Sequence, residues 1–574
     1  MKLIFQYMSR RIRRISLGMA VKILAAFLEL LIPYVLEYII DQLAPKGQAG
    51  PVVGWGLAMA GLAWAVRWGN IFANQSAVYV SQDCTREIRQ DLFQRTVTLS
   101  GAQADQFGLP SLISRMTSDS YNVQNFITSS QTVGVRAPIM LVGGVCVALT
   151  MDLALASILC VLAPVMTAIV IFVSRKGIPL YDRVQREVDE MTRVMRENVT
   201  GARVVKALRK EPYEERRFQA VNGRLTRSDL TASAVMAIPA PAVQMFMNLG
   251  LILVVLVGAK RVDSGAAEPG VILAFLIYFN LILHSAMSFN RIFILLSKAT
   301  ASADRIAEVL AAPEDQPPLT LPEERRENGA FLEFDHVSFT YAGTQAAEKS
   351  LDGVSFRLNR GETLGIIGAT GAGKSTVVRL LMRFYDAQEG AVYVDGQDVR
   401  TYEKKALREK FGAVFQNDVI FAESLEENIT LGRPLTEEEV FRAAEDALAA
   451  DFIAAKPGGY GYIAGIKGAN LSGGQKQRLC IARALAARPE ILILDDAASA
   501  LDYRTDAKLR QALRERYEGV TAVIVAQRVS SVMGADKVLV LDEGRVIGCG
   551  THRELLERCG VYRDIYQSQM GDLA

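Results

Sequence analysis

This chain contains few histidines and few cysteines, and its positive and negative charges nearly balance. The 574 residues include three histidines and six cysteines, and the cysteines are scattered without a Cys-X-X-Cys pair. This spacing argues against a disulfide framework and against a cysteine–histidine metal site, and it is typical of a reducing compartment. The formal net charge is only +2. A charge so near zero provides no basic surface for nucleic acid, so we expect no nucleic-acid partner.

Apolar residues are abundant instead, and they are concentrated in the first half of the chain. They make up 50% of all residues, which is high for a water-soluble protein. A chain of this length should contain at least two domains. We predict an all-α transmembrane domain of six helices at 1–311, a linker rich in proline and charge at 312–329, and an α/β domain with a mainly parallel sheet at 330–574.

Six apolar stretches are long enough to span a lipid bilayer, which takes roughly 20 residues. They lie near 16–40, 52–80, 126–149, 153–173, 235–258 and 269–296. A cluster of arginines precedes the first stretch, so the positive-inside rule predicts a multi-pass cell-membrane protein with both termini in the cytosol. The inner connections, 81–125 and 174–234, contain few glycines or prolines, and we expect the spans to continue through them as helices.

A glycine-rich motif, GATGAGKST, lies between a predicted strand and a predicted helix. It fits the P-loop pattern, in which glycines let backbone amides close around phosphate oxygens at a helix N-terminus. The lysine of such a loop reaches the β- and γ-phosphates, and the following hydroxyl takes Mg²⁺. The expected cofactors are therefore ATP and Mg²⁺. The expected contacts are Gly368, Ala369, Thr370, Gly371, Ala372, Gly373, Lys374, Ser375 and Thr376.

Two further motifs follow the P-loop. ILILD is an apolar run that ends in Asp495, as a buried strand does when it brings a carboxylate to a phosphate-bound metal. LSGGQ places two successive glycines where a helix begins. Successive glycines cost helix stability, and they make sense where the backbone must approach an anion closely. The simpler interpretation is an N-cap formed by Ser472.

The order of these motifs resembles the nucleotide-binding domain of ABC transporters, and the six spans before them resemble an exporter-fold (type IV) half-transporter. The resemblance implies two ATP molecules sandwiched between two such domains, with each P-loop facing the signature motif of the other chain. It assigns Tyr341 to adenine stacking, although a core tyrosine is the alternative. It assigns Gln416 and Ser375 to Mg²⁺, and Asp495 to Mg²⁺ through a water molecule. The residues expected to serve the opposite site are Leu471, Ser472, Gly473, Gly474, Gln475 and Asp502.

Three positions depart from the family pattern. Asp496 stands where the family has a catalytic glutamate, and its shorter side chain draws the carboxylate back by roughly 1.5 Å, one carbon–carbon bond. Gln527 stands where the family has a switch histidine, and glutamine can neither titrate nor carry charge. Ile466 replaces a glutamate that precedes the signature. The chain therefore resembles the degenerate-site subunit of heterodimeric multidrug exporters, whose partner supplies an intact glutamate and histidine.

The membrane half provides weaker candidates for contact with a small amphipathic substrate. Glu29 lies in the middle of the first span, and an intramembrane carboxylate indicates a functional site by default. The alternatives are a carboxylate that faces a water-filled cavity or pairs with a neighbouring span. Glu37 and Arg291 are further candidates. Because the charges are mixed, they do not reveal the charge of the substrate.

Three other functions stay open from the sequence. An exporter-fold importer of metal-chelate compounds would have the same membrane half. An ATP-gated channel or regulatory subunit would tolerate a degenerate site. A homodimeric exporter would need no second gene. Substrates compatible with the favoured exporter are a drug-like compound, a lipid or a peptide.

Overall fold

The computed structural model describes residues 1–313, 319, 330–341, 349–417, 419–497 and 499–571, apart from the side chains of several positions within the membrane helices. The chain divides into two compact units. The first contains Met1–Val97 and Pro110–Ala311, and the second contains Thr98–Leu109 and Ala312–Ala574. The predicted boundaries at 311 and 330 stay a prediction, and most of the predicted linker lies outside the described residues.

The N-terminal half is mainly helical, and one of its short helices, Gly101–Phe107, belongs to the second unit. Its helices are α1 (Lys2–Ser9), α2 (Ile12–Tyr38), α3 (Ala49–Val97), α4 (Gly101–Phe107), α5 (Leu109–Ser114), α6 (Ser120–Met151), α7 (Leu153–Thr200), α8 (Ala202–Ala207), α9 (Glu211–Ala237), α10 (Pro239–Asp263) and α11 (Pro269–Leu310).

The predicted spans coincide with these long helices. Among the residues that the structure describes, four helical stretches are long and apolar enough to cross a membrane, namely Ile12–Lys46, Ala49–Val97, Leu109–Met151 and Glu211–Asp263. The fourth and sixth predicted spans fall on α7 and α11. Within the described residues, their apolar parts are the shorter stretches Leu153–Met166 and Pro269–Ser285.

The inner connections are helical, as predicted. Helix α3 continues to Val97 and α7 continues to Thr200, both far beyond the apolar part of the span. Helices α9 and α10 are separated only by Ile238, which keeps helical angles (φ −62°, ψ −41°). The interruption occurs because Pro239 has no N–H to donate to the preceding turn.

The tight turn between the third and fourth spans consists of Asp152. Its carboxylate accepts hydrogen bonds from the amides of Ala154 and Leu155 (2.8 and 3.0 Å). The side chain thereby caps α7, whose first amides have no partner within the helix. Its second oxygen accepts a hydrogen bond from Arg261 Nε of α10 at 2.7 Å.

The C-terminal half alternates strands and helices. The strands are β1 (Leu332–Phe339), β2 (Leu351–Leu358), β3 (Thr363–Gly368), β4 (Glu389–Val394), β5 (Gln397–Asp398), β6 (Phe411–Val414), β7 (Ile491–Asp495), β8 (Thr521–Val525), β9 (Lys537–Asp542) and β10 (Arg545–Gly550). The helices are α12 (Lys374–Leu381), α13 (Lys404–Glu409), α14 (Leu425–Thr430), α15 (Glu437–Asp446), α16 (Ala450–Ala454), α17 (Gly473–Leu485), α18 (Tyr503–Arg516), α19 (Val529–Val532), α20 (His552–Arg558) and α21 (Gly560–Met570).

These strands form two sheets. The larger has the order β10-β9-β3-β8-β7-β6 and is parallel except for the β9–β10 pair. Its parallel strands are apolar because helices cover both faces, as in α/β proteins generally. The smaller sheet, β2-β1-β4-β5, is entirely antiparallel. The sequence predicted the parallel sheet but did not predict this second layer.

Candidate functional site

The P-loop (Gly368–Thr376) connects the end of β3 to the start of α12. Its shape requires glycine at two positions. A Cβ at Gly368 would lie 2.1 Å from the carbonyl oxygen of Leu541, and one at Gly373 would lie 2.6 Å from that of Ser350. Gly373 also has φ +94°, which side chains disfavour. Only glycine therefore lets the loop pass this close to the neighbouring backbone.

Lys374 and two carboxylates form the charged centre beside this loop. The Lys374 ammonium donates hydrogen bonds to the carbonyl oxygens of Gly368 and Ala369, at 2.9 and 2.8 Å. Burial lowers the pKa of Lys374, and Asp495 and Asp496 oppose that shift. Burial raises the pKa of Asp495, although a hydrogen bond with Ser375 favours its charged form.

Predicted site residues from separate segments meet in one cavity of about 310 Å³, which we call the nucleotide cavity. Its walls include much of the P-loop. They also include Tyr341, Gln416, Asp495, Asp496 and Gln527. The hydroxyl of Ser375, the carboxylate of Asp495 and the amide oxygen of Gln416 are oxygen donors, which is the ligand chemistry that Mg²⁺ requires. The cavity can therefore hold a phosphate group together with its metal.

Tyr341 packs against the core and also lines the nucleotide cavity. Its ring packs edge-on against Phe339 and Tyr385, with centroids 4.9 and 5.2 Å apart. Its hydroxyl accepts a hydrogen bond from Arg379 Nη1 at 2.9 Å and lies 3.3 Å from Thr376 Oγ1. Tyr341 thus belongs to the edge of the core and to the wall of the nucleotide cavity at the same time.

The two atypical residues contact each other directly. Gln527 Nε2 donates a hydrogen bond to Asp496 Oδ2 at 3.1 Å. Asp496 follows the last residue of β7 with φ +54°, a left-handed conformation that aspartate tolerates better than most residues. Burial raises the pKa of its carboxyl group. The carboxylate of Asp496 therefore points toward Gln527.

Gln569 is a functional candidate that the sequence did not reveal. From α21 it donates Nε2 to the carbonyl oxygen of Gln527 and accepts the amide of Val529 at Oε1, both at 2.8 Å. These bonds fasten the backbone on both sides of Arg528. No motif marks Gln569, because it is an exposed glutamine more than 40 residues after the segment that it holds.

The signature segment (Leu471–Gln475) is a well-formed helix start. Ser472 Oγ accepts the amide of Gln475 at 3.4 Å, and Gln475 Oε1 accepts the amide of Ser472 at 3.0 Å. This capping box matches the simpler interpretation of the motif. Leu471 is buried, whereas Ser472 and Gly473 are exposed. None of these residues lines the nucleotide cavity of their own chain.

Asp502 caps the next helix, α18. Its Oδ1 accepts the amides of Arg504 and Thr505, at 3.1 and 2.9 Å, and its Oδ2 accepts the Thr505 hydroxyl at 2.8 Å. The bond from the Thr505 amide is the main reason why the pKa of this exposed carboxyl is lowered. Ile466 opens a short 3₁₀ turn ahead of the signature segment and is 78% exposed.

In the membrane half, Glu29 forms a bidentate ion pair with Arg136. Arg136 Nε and Nη2 donate to its two oxygens at 3.1 and 2.8 Å. This is the pairing with a neighbouring span that the sequence left open. Glu37 is partly buried in α2. Arg291 belongs to α11, but its side chain lies outside the described residues.

Comparison with known proteins matches the two halves of the chain to two different families. The family described as the ABC transporter transmembrane region matches residues 15–287, and the ABC transporter family matches residues 351–499. An uncharacterised ABC transporter ATP-binding protein of Bacillus subtilis, YfiB, is 35% identical over 95% of this chain and 94% of its own length. An ATP-dependent lipid A-core flippase of Saccharophagus degradans is 32% identical over 93% and 92%.

A solved structure agrees as well. A bacterial Atm1-family ABC exporter with ATP bound superposes with a TM-score of 0.80, at 25% identity, over 97% of this chain and 99% of that one. The fold is that of an exporter, and the length is that of a half-transporter. The chain therefore belongs to the ABC transporter family, with a membrane-spanning exporter domain and a C-terminal ATP-binding domain.

Proposed function

We propose that this chain is one subunit of a heterodimeric ABC exporter, and that its own ATP site hydrolyses poorly while its signature segment completes the partner's competent site. The observation that carries the proposal is the hydrogen bond between Asp496 and Gln527 beside an intact P-loop. The two departures from the family pattern share one hydrogen bond, so both affect the same part of the nucleotide cavity. The signature segment is complete and exposed, which supports its use in the ATP site of a partner chain.

The residues of the nucleotide cavity fit Mg²⁺·ATP. Lys374 and the amides of the P-loop would hold the phosphates, and Tyr341 would contact the adenine. Ser375, Asp495 and Gln416 would supply oxygen ligands to Mg²⁺. When bound, the ion neutralises phosphate charge and thereby favours attack by water. The glycines support this assignment, because only glycine at Gly368 and Gly373 lets the loop keep the conformation in which its amides can surround phosphate oxygens.

The side chains of Asp496 and Gln527 are the physical reason for expecting slow hydrolysis at this chain's own site. A general base must lie within hydrogen-bond reach of the proton that it takes, and a displacement of about 1 Å costs about a hundredfold in rate. The Asp496 carboxylate is one methylene short and already accepts a hydrogen bond from Gln527. The Gln527 amide donates a hydrogen bond but carries no positive charge to stabilise phosphate charge in the transition state.

The signature segment has the opposite character. Ser472 and Gly473 are exposed at the N-terminus of α17, where backbone amides and the helix dipole favour an anion. In the heterodimer this surface, with Asp502 nearby, would face the γ-phosphate held by the partner. The partner is a second half-transporter that keeps a catalytic glutamate and a switch histidine.

The transported compound is an amphipathic molecule such as a drug-like compound, a lipid or a peptide. The name of the Saccharophagus relative records an ATP-dependent flippase of a lipid, which supports an amphipathic cargo for this chain. Glu29, Glu37 and Arg291 stay candidates for substrate contact. For Glu29 we propose a supporting role, in which it orients Arg136.

The test is to purify this chain alone and to measure Mg·ATP binding and steady-state ATPase activity. We expect binding with little turnover, since the phosphate cradle is complete and the catalytic pair is not. The chain co-purified with its partner half-transporter should restore turnover. Robust ATPase activity by a verified homodimer of this chain would contradict the proposal.

A further inference from the structure

A polar cavity lies within the membrane unit, between helices α2, α3, α6 and α11. Its volume is about 370 Å³, and we call it the cationic cavity. The two charged side chains that line it are Lys22 of α2 and Arg136 of α6. Glu29, the carboxylate that pairs with Arg136, is not part of the lining. Among the described residues, the lining therefore carries two cations and no carboxylate, and the charge of Arg136 is balanced by Glu29 whereas Lys22 forms no such pair.

Lys22 is the more unusual of the two cations. Its residue is only 4% exposed. The ammonium donates to the amide oxygens of Asn70 and Asn74, at 2.7 and 3.0 Å. Asn70 donates its own Nδ2 to the carbonyl oxygen of Val66, which fixes the amide so that its oxygen faces the lysine. Both partners are neutral, and no carboxylate among the described residues forms an ion pair with Lys22.

A buried cation with only neutral partners is costly in a membrane helix, and such residues are rare and functional. A lysine ammonium has three donors, and the two asparagines accept two of them. An anionic group in the cavity would accept the third and supply the missing charge. Arg136 is held rigidly by Glu29, with Nε and Nη2 engaged, so it presents a fixed guanidinium edge to the same anion.

The rest of the lining fits a molecule with one charged end and one apolar end. Four hydroxyl side chains make part of the wall polar, but each donates to a carbonyl one turn earlier in its own helix, so the donors to an anion are Lys22 and Arg136. The four are Thr128, Thr132, Ser285 and Ser288. Val78, Val133 and Ala137 contribute apolar surface to the same cavity. A volume of about 370 Å³ is at the small end of ligand pockets, which span roughly 300–1,000 Å³. It accommodates a head group better than a whole large amphiphile.

We propose that the cationic cavity binds the phosphate or carboxylate head group of an anionic amphiphile, and that this amphiphile is the chemical class that the transporter moves. The proposal rests on the transport function proposed above, because it names the substrate class of that exporter. The alkyl part would extend along the apolar wall formed by Val78 and Val133. The head group would contact Lys22 and Arg136.

The test is equilibrium binding of radiolabelled dodecyl phosphate to the full chain in nanodiscs of phosphatidylcholine, with empty nanodiscs subtracted. Dodecyl maltoside and dodecyltrimethylammonium compete as neutral and cationic amphiphiles with the same alkyl chain, and inorganic phosphate competes as the head group alone. We expect dodecyl phosphate to bind at least about tenfold more tightly than any of the three competitors, since a charge-assisted hydrogen bond adds at least this factor.

Three variants make the test specific. Lys22→Gln should weaken dodecyl phosphate binding by at least about tenfold, for the same physical reason. Asn74→Asp keeps Lys22 but places a carboxylate at the existing 3.0 Å contact, so it should weaken binding similarly without deleting the lysine. Lys22→Arg should retain binding. Thermal unfolding of each variant separates loss of the site from loss of the fold.

Equal binding of all three amphiphiles, or unchanged binding in a folded Asn74→Asp variant, would overturn the proposal. Inorganic phosphate that binds as tightly as dodecyl phosphate would also overturn it, because the cavity would then recognise a free anion. These measurements use this chain without ATP or a partner. A negative result therefore leaves the heterodimer proposal standing, and failure of heterodimer turnover leaves the binding result standing.

Discussion

The nucleotide cavity and the signature segment differ in the side chains that they present, but each is held in place by hydrogen bonds between its own residues. In the nucleotide cavity, Asp496 and Gln527 satisfy each other with a hydrogen bond. In the signature segment, Ser472 and Gln475 satisfy each other through a capping box. Both surfaces are well ordered by local bonds. The comparison teaches that hydrogen bonds within a site do not measure its catalytic competence, which depends on the side chains that face the phosphate.

The largest expected effect is a loss of turnover caused by a charge at the signature segment. Ser472→Asp keeps a good N-cap, since aspartate, asparagine and serine cap helices about equally well. It also places a negative charge where the partner's γ-phosphate is expected. We expect steady-state ATPase activity of the heterodimer to fall by about a hundredfold, comparable to the loss of a donor that stabilises transition-state charge.

Ser472→Asn is the matched control, because it preserves the cap without the charge. It should retain much more activity than Ser472→Asp, with the same thermal stability. Equal activity in both variants would show that the signature segment does not face phosphate.

The next effect concerns the nucleotide cavity. Lys374→Ala should abolish nucleotide binding at this chain's site while hydrolysis at the partner's site continues in part, because a P-loop lysine acts on the phosphates that it touches. Photo-crosslinking of labelled ATP to each subunit measures the occupancy. Lys405→Ala, which removes an exposed lysine of α13, controls for the loss of a positive charge. Unchanged occupancy of this subunit in Lys374→Ala would refute the role given to Lys374.

A gain of function would sharpen the comparison further. Asp496→Glu restores the missing methylene, and we expect it alone to raise total ATPase activity modestly. Asp496→Glu with Gln527→His should raise it by more than the sum of the single changes, since residues that act as a unit are strongly non-additive. The measurement is ATPase activity of the heterodimer with the partner's own site inactivated. If the two changes had only additive effects on ATPase activity, Asp496 and Gln527 would not act as one unit.

A smaller effect is expected at Gln569. Gln569→Ala removes two hydrogen bonds, to the carbonyl oxygen of Gln527 and to the amide of Val529. We expect Mg·ATP to bind the purified chain about two- to tenfold more weakly, the range that one net hydrogen bond accounts for. Gln567→Ala alters another exposed glutamine of α21 and should leave binding unchanged. Identical affinities in the two variants would exclude a positioning role for Gln569.

Much of the fold could be predicted because its signals are local. A run of apolar residues predicts a membrane span by itself, and GATGAGKST predicts a strand, a turn and a helix within one short segment. The antiparallel sheet of β1, β2, β4 and β5 was missed because its strands are mixed in polarity, as the alternation of buried and exposed residues in β2 shows. Their pairing depends on partners far apart in the chain, such as Phe334 with Val392.

The candidate site was predictable to the extent that motifs mark it. The motifs located Lys374, Asp495 and Asp496, and the structure brings them together. The contact between Asp496 and Gln527 was not predicted, because a sequence does not show how a side chain points. Lys22 was missed because it follows closely after the arginines of the N-terminus, where a lysine indicates only the membrane surface. Its burial against Asn70 and Asn74 appears only when α2 packs on α3.

The most direct test of the account compares Asp496→Ala with Ser472→Asp in the assembled heterodimer, by steady-state ATPase activity. The account predicts that Asp496→Ala changes turnover by less than about twofold, since this chain's own site contributes little, whereas Ser472→Asp lowers it by about a hundredfold. If Asp496→Ala depressed turnover as severely as the signature variant, this chain's own site would be hydrolysing ATP, and the degenerate-site account would be wrong.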